Sequence, residues 1–152
     1  YIDDTTVELI RNKLSLEMGK NTAEVVKKNL ISLKVSDKNN TLKVDGRDLE
    51  TAMPKTIEVK SKDLVECVMP FANDICELIY EVLEKIPPEI SSDIKRDRIF
   101  LTGGLARLKG LIEYISDNTG LRVNISEDPL TDAIKGAGII LDNPDRFVKY
   151  RK

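Results

Sequence analysis

Apolar positions along this chain recur first at helical and then at alternating spacing. Val7, Ile10 and Leu14 share one face and predict a helix from Thr6 to Leu16, preceded by Thr5-Thr6-Val7-Glu8 in the spacing of a capping box. Asn21 is placed to cap a second helix that runs through Val25, Val26 and Leu30. On it Glu24 and Lys28 stand at i,i+4, the spacing of a solvated surface pair. From Ile31 the period becomes two: Ile31, Leu33 and Val35, a turn at Asp37-Lys38-Asn39-Asn40, then Leu42 and Val44 up to Asp45-Gly46. That pattern predicts two short antiparallel strands. Arg47 to Pro54 reads as a loop and Thr56 to Val59 as a third strand. Ser61 then caps a long helix carrying Leu64, Val68, Phe71, Ile75, Leu78 and Val82, stopped by Pro87-Pro88. Pro70 lies inside it, lacks an N–H and crowds the preceding carbonyl, so a kink or break is expected near Met69.

Pro88 to Lys95 predicts a short helical turn, and Ile99-Phe100-Leu101 a strand ended by Thr102-Gly103-Gly104. Leu105, Leu108, Ile112 and Ile115 resume helical spacing, and Gly120 closes that helix as a left-handed cap. Arg122 to Ser126 forms the next strand. Asp128 caps a last helix with Pro129 at its first position and a small-residue face of Ala133, Gly136, Ala137 and Ile140, suited to close packing on a sheet. Two strand–helix pairs make a βαβα unit with parallel strands. Such a pair has two open edges, so further strands are expected from upstream sequence or a second copy, and the chain alone is expected to dimerise.

The double glycine is the first chemical lead. Gly103 and Gly104 carry no Cβ to hold a ligand off the backbone, and a helix start behind them offers unpaired N–H groups. A nucleotide fits such a turn, although the same turn also serves as plain connecting geometry.

Composition narrows the field. The 152 residues suffice for one domain or two small lobes, and 26 acidic against 24 basic side chains, interspersed, give no basic stripe for nucleic acid. Histidine is absent, which excludes Ser-His-Asp and Cys-His catalysis and histidine-based zinc sites within the chain. Cys67 and Cys76, nine apart on one predicted helix, face different sides and are expected to be reduced thiols in a cytosolic protein. No apolar run approaches the roughly 20 residues of a membrane span. The sequence begins with Tyr1 and shows no signal-peptide pattern, so sequence upstream of it is expected. The basic stretch from Arg146 to Lys152 reads as a frayed end packing Phe147 and Tyr150.

Several segments coincide in order with one family. LTGG before a helix, TGLRVNI and EDPLTDAIKGAG resemble the bacterial actin-like rod-shape proteins of the MreB family, whose segments read close to LTGGGA, TGLPV and EDPLTCVALGTG. MGKNTAEVVK is similar to the family's IGExTAExIK, and IPPEISSDI to its CPPELASDI. The resemblance covers nearly the whole chain, within a superfamily that includes actin, heat-shock chaperone ATPases and sugar kinases.

The resemblance implies an α/β fold: part of an actin-like, ribonuclease H-like ATPase lobe, with a partial parallel or mixed sheet and a helical subdomain carrying a small antiparallel sheet. Residues 1–95 would be that helical subdomain, and 96–152 the βαβα end of the nucleotide-binding subdomain. The phosphate loop, catalytic acid and membrane-touching segment would lie upstream in the first lobe. What remains is the adenosine side of a cleft for ATP or ADP, with magnesium held elsewhere and no catalytic or metal-binding residue in this stretch. By motif, Gly103 and Gly104 would run along the adenosine, with Thr102 shaping the turn, while Glu24 and Lys27 would face ribose and adenine. A carboxylate there accepts from ribose hydroxyls and an ammonium meets the base or phosphate side. Two positions depart from the pattern: Leu105 replaces the family's third glycine, and Lys20 its glutamate. Both bear on nucleotide preference and affinity. The parent would be a slow ATPase that polymerises in the bacterial cytoplasm as membrane-associated filaments, with wall-synthesis and cell-shape machinery as partners; this stretch alone would be inactive. The rival readings are a chaperone-type or sugar-kinase-type ATPase, and an interaction module for filament contacts with a vestigial cleft.

Overall fold

The computed structural model describes residues 2–34 and 40–150. Helix α1 (Ile2–Leu14), strand β1 (Leu16–Glu17) and helix α2 (Lys20–Leu30) lead into strands β2 (Thr41–Asp48) and β3 (Pro54–Lys60). Helix α3 (Ser61–Leu64) and a 3-10 turn (Val65–Cys67) precede α4 (Met69–Lys85) and α5 (Pro88–Arg96). The last part holds β4 (Ile99–Leu101), a 3-10 turn (Gly104–Arg107), α6 (Leu111–Thr119), β5 (Val123–Ile125), α7 (Asp132–Asp142) and a 3-10 turn (Pro144–Tyr150). Among the described residues no helix is long and apolar enough to cross a membrane.

Local capping signals misplace the first two helix starts. α1 is already helical at Ile2, with Asp3 and Asp4 in the first turn where carboxylates oppose the positive helix end. Thr5 to Glu8 therefore lie inside the helix and cannot cap it; the buried Thr6 hydroxyl donates to the Ile2 carbonyl at 2.7 Å. Ser15, at φ 50°, ends α1 short of Leu16, which joins β1 instead. Gly19, not Asn21, occupies the N-cap of α2.

The first sheet is antiparallel in the order β1-β2-β3, with Val44 opposite Ile57 and Leu42 opposite Val59. Val44 and Val59 are buried, so the predicted alternation holds for β2 and β3. The expected pairing of Ile31–Val35 with Leu42–Val44 does not form, because β1 and β3 take the two edges of β2. Leu33 instead donates its N–H to the Lys109 carbonyl at 2.8 Å. Val35 and the turn from Asp37 to Asn39 lie outside the described residues. Asp45-Gly46 is not a turn either. A Cβ on Gly46 would stand 2.5 Å from the Glu17 carbonyl oxygen, so glycine is there to let β1 approach.

The actual turn follows Asp48, whose Oδ1 accepts from the N–H groups of Glu50 and Thr51 at 2.9 Å each, while Lys55 Nζ lies 2.5 Å from Oδ2. The Lys55 ammonium first, then the two N–H groups, hold this carboxyl well below the usual carboxylate range. A depressed folded-state pKa stabilises the fold fully above the unfolded value of about 4 and loses that contribution as pH falls through the folded value. Wild type is therefore expected to melt above Asp48→Asn at neutral pH, with the gap closing as the pH of the melt is lowered below about 4. Equal midpoints at pH 7 would contradict this.

Pro70 breaks the predicted long helix as expected. α3 and its 3-10 turn end before Met69, and α4 restarts with Pro70 in its first turn, where a missing N–H costs no bond. Ser61 is the first helical residue and not its cap; its hydroxyl donates to the Leu30 carbonyl. The break also separates the cysteines into different elements. Both are free and buried, and burial raises both thiols.

Two cores result. The first gathers Ile10, Leu16, Val26, Leu30, Val59 and Leu64, and the second Ala72, Cys76, Leu111, Ile115 and Val123. α4 packs with the second. Leu33 and Leu108 pack against both. In the second sheet β4 and β5 run parallel, Ile99 opposite Val123 and Leu101 opposite Ile125. α7 buries none of its residues, and Ile134 and Leu141 are 74% and 78% exposed, so its small-residue face does not pack on the sheet as predicted. Two three-residue strands have too little area to reach under it. The stretch read as a frayed end is helical through Tyr150, with the Arg146 guanidinium 5.8 Å from the Phe147 ring centre.

Candidate nucleotide-binding site

β4 and β5 end side by side, and ligands of open α/β sheets settle beyond such carboxyl ends. Thr102 follows β4 directly. Gly103 then takes φ 88° and ψ 166°, a conformation open essentially to glycine alone. Its N–H donates to the Pro129 carbonyl at 2.7 Å. A Cβ on Gly103 would meet nothing within 4 Å, and one on Gly104 only Leu130 Cδ2 at 3.5 Å. The backbone here is bare toward solvent, which is the geometry a flat nucleoside needs.

The helix expected right behind the glycines is split. Gly104–Arg107 closes a 3-10 turn through Ala106 N–H to the Gly103 carbonyl, and α6 begins only at Leu111 after left-handed Gly110. Gly110 sits tightly: a Cβ would stand 2.7 Å from the Lys34 nitrogen, so the turn needs glycine where α2's outgoing chain crosses. The N–H groups that follow the double glycine thus belong to a 3-10 turn and not to an α-helix start. Leu105 is 37% exposed on it.

Thr102, Gly103, Gly104 and Leu105 are contiguous and exposed. Glu24 lies on the exposed face of α2 and pairs with Lys28 at 2.8 Å, the surface pair expected from the spacing; that contact lowers its carboxyl pKa. Lys27 is half-buried and engages Asp3 of α1 at 2.6 Å, so ligand contact requires it to leave that partner. Lys20, the charge-reversed position, pairs with Asp4 of α1 at 2.9 Å. α2 and the glycine turn are joined where Ser32 bridges Lys109 and Lys34 meets Glu113 at 3.1 Å. From that joint the chain leads back through about 9 Å of helix from Leu30 to Glu24 on one side, and through the 3-10 turn to Gly104 on the other.

Asp132 was not among the candidates. Its Oδ2 accepts from Thr102 Oγ1 at 2.7 Å and from the Ser126 hydroxyl, and these two contacts, Ser126 first, lower its pKa. Asp128, expected as the helix cap, instead holds Thr131 Oγ1 at 2.5 Å and Lys135 at 2.9 Å, and Thr131 is the N-cap of α7. The only trace of Asp132 in the sequence is that it stands where the quoted family segment has cysteine. Among the described residues no group of three or more Cys, Asp or Glu side chains is placed to hold a metal ion. An apolar groove of about 320 Å³, with Leu78, Val82, Ile94 and Arg98 in its wall, lies at the opposite, amino end of β4.

Known proteins share this sequence pattern and this fold. The chain is 31% identical over 149 residues to the cell shape-determining protein Mbl of Bacillus subtilis, covering 98% of this chain and 45% of that protein. It is 31% identical over 143 residues to the cell shape-determining protein MreB of Escherichia coli, covering 94% and 41%. It thus spans less than half the length of these curated relatives. The crystal structure of MreB5 of Spiroplasma citri bound to AMPPNP superposes with a TM-score of 0.86 at 29% identity, over 98% of this chain and 45% of that one. The MamK double helical filament, at 22% identity and a TM-score of 0.78, shares the fold. The chaperone-type and sugar-kinase-type alternatives are not favoured. The sequence model of the MreB/Mbl proteins matches residues 1–149, and the chain belongs to that family, with an actin-like ATPase lobe as its fold.

Proposed function

We propose that residues 1–152 supply the adenosine side of an ATP cleft in a bacterial actin-like protein that polymerises and directs cell shape. The observation that carries this reading is the bare backbone of Gly103 and Gly104 at the carboxyl end of β4, where an added Cβ would meet nothing nearer than Leu130 Cδ2 at 3.5 Å. Solved MreB5 bound to AMPPNP and to ADP supports a nucleotide as the occupant. Gly103 and Gly104 pass along the adenosine, Thr102 shapes the turn, Leu105 adds an apolar wall, and Glu24 and Lys27 approach ribose and base from residues 1–95. Bound ATP supplies the phosphoanhydride whose hydrolysis accompanies filament ageing; magnesium and the phosphate-binding groups are assigned to parts of the protein outside residues 1–152. Partners are further subunits and wall-synthesis machinery, in the cytoplasm, with membrane contact through the first lobe. Apolar side chains left exposed on α7 and β4, Phe100 at 66% among them, support self-association.

One wall of a cleft covers only part of a ligand, so chain 1–152 alone is expected to lack ATPase activity and to bind ATP more weakly than micromolar. Calorimetric titration checks this, and submicromolar binding would contradict it. The reading itself is tested in the protein as its gene encodes it, by nucleotide binding of Glu24→Ala and Gly104→Val. Lost binding supports the cleft, whereas unchanged binding with altered assembly supports the interaction module, which exposed Leu105 favours.

A further inference from the structure

We propose that Asp132 is a positioning residue for the nucleotide-binding turn, acting through Thr102; the proposal rests on the nucleotide reading above. Thr102 and Ser126 are the first residues beyond β4 and β5, and one carboxylate oxygen of Asp132 receives both hydroxyls. The side chain therefore clamps the ends of the two parallel strands together at the mouth of the site.

An ionised carboxylate only accepts hydrogen bonds. Both hydroxyl protons are thereby committed to Asp132, and the lone pairs of Thr102 Oγ1 are left as acceptors for a donor on the ligand, a ribose hydroxyl or an amino group of the base. Without Asp132 the Thr102 hydroxyl has the Pro129 carbonyl, 3.2 Å away, as its remaining acceptor. Gly103 follows with no side chain of its own, held by its N–H to Pro129. Asp132 thus restricts the residue next to the most pliable point of the turn, and restriction before binding lowers the ordering cost of binding. Asp128 and Lys135 are the charged groups that face it, with opposite effects on its ionisation.

The test is ATP binding by calorimetry on the protein as encoded, comparing wild type, Asp132→Ala, Asp132→Asn, Thr102→Val and the Asp132→Asn/Thr102→Val pair, with thermal midpoints measured alongside. Loss of the clamp is expected to weaken ATP binding about tenfold in Asp132→Ala and Asp132→Asn. The asparagine variant keeps the shape, and adding Asp132→Asn to Thr102→Val costs no further affinity, because Asp132 acts on the ligand only through that hydroxyl. Wild-type affinity in both Asp132 variants, or losses that add in the pair, overturns the positioning role while leaving the nucleotide reading intact. Affinity lost only in step with the melting temperature also overturns it. Failure of the wild-type protein to bind ATP overturns the nucleotide reading first, and this role with it.

Discussion

Gly110→Val is expected to lower the thermal midpoint by roughly 5–20 °C, the largest stability effect of any single substitution considered. Two costs combine. Gly110 sits at φ 84°, where an L side chain is strained by about 1–2 kcal/mol. Its Cβ would stand 2.7 Å from the Lys34 nitrogen and 2.9 Å from the Leu33 carbonyl carbon, backbone atoms that cannot swing aside, and forced overpacking adds about 1–3 kcal/mol. A domain of this size is held by only about 5–15 kcal/mol, so the sum is a large share. Gly138→Ala is the control of opposite sign. It lies inside α7 with nothing within 4 Å of the added methyl, and alanine there is expected to raise stability by about 0.5–1 kcal/mol. Circular dichroism melts of the two variants check both; a Gly110→Val protein that melts with wild type would mean that the crossing of Leu33–Lys34 over Gly110 is not a fixed contact.

The largest functional effect is expected from Gly104→Val, which separates binding from folding. Its Cβ would touch only Leu130 Cδ2 at 3.5 Å and its φ is not positive, so valine is tolerated by the fold while it fills the space a nucleoside needs. Glu24→Ala offers the same separation from the other wall. Its present partner is Lys28 on an exposed helix face, a solvated pair that contributes little to stability. A carboxylate hydrogen bond to a ribose hydroxyl is worth about 1.5–3 kcal/mol, so binding is expected to weaken roughly tenfold to a hundredfold with the melting temperature held. Both are measured as ATP dissociation constants of the protein as encoded. Wild-type affinity in both variants would place the nucleotide elsewhere.

The parts legible in the sequence were those set by nearby residues. Pro70 marked the helix break, Gly120 the left-handed cap of α6, and the β-branched and aromatic run at Ile99 the strand. The parts that escaped depend on distant partners. Asp45-Gly46 carries a turn signature, yet its glycine answers to β1, about thirty positions earlier in the chain. Leu33 looks like half of a hairpin until Lys109, from the far end of the chain, takes its N–H. A three-residue strand or a two-residue one has no periodicity of its own to read. The candidate site divides in the same way. Thr102 to Leu105 were visible as a bare turn, Glu24 and Lys27 only through family motifs, and Asp132 not at all, since its meaning arises from hydroxyls beyond two separate strands.

The hydrogen bond from Leu33 to Lys109 turns one proton into a gauge of the whole molecule. Half-buried Leu33 packs with Leu108 against both cores, and its amide exchanges with deuterium when the bond to Lys109 opens. Its isotope uptake therefore times the breathing of one half against the other, at the joint that connects the two walls of the candidate site.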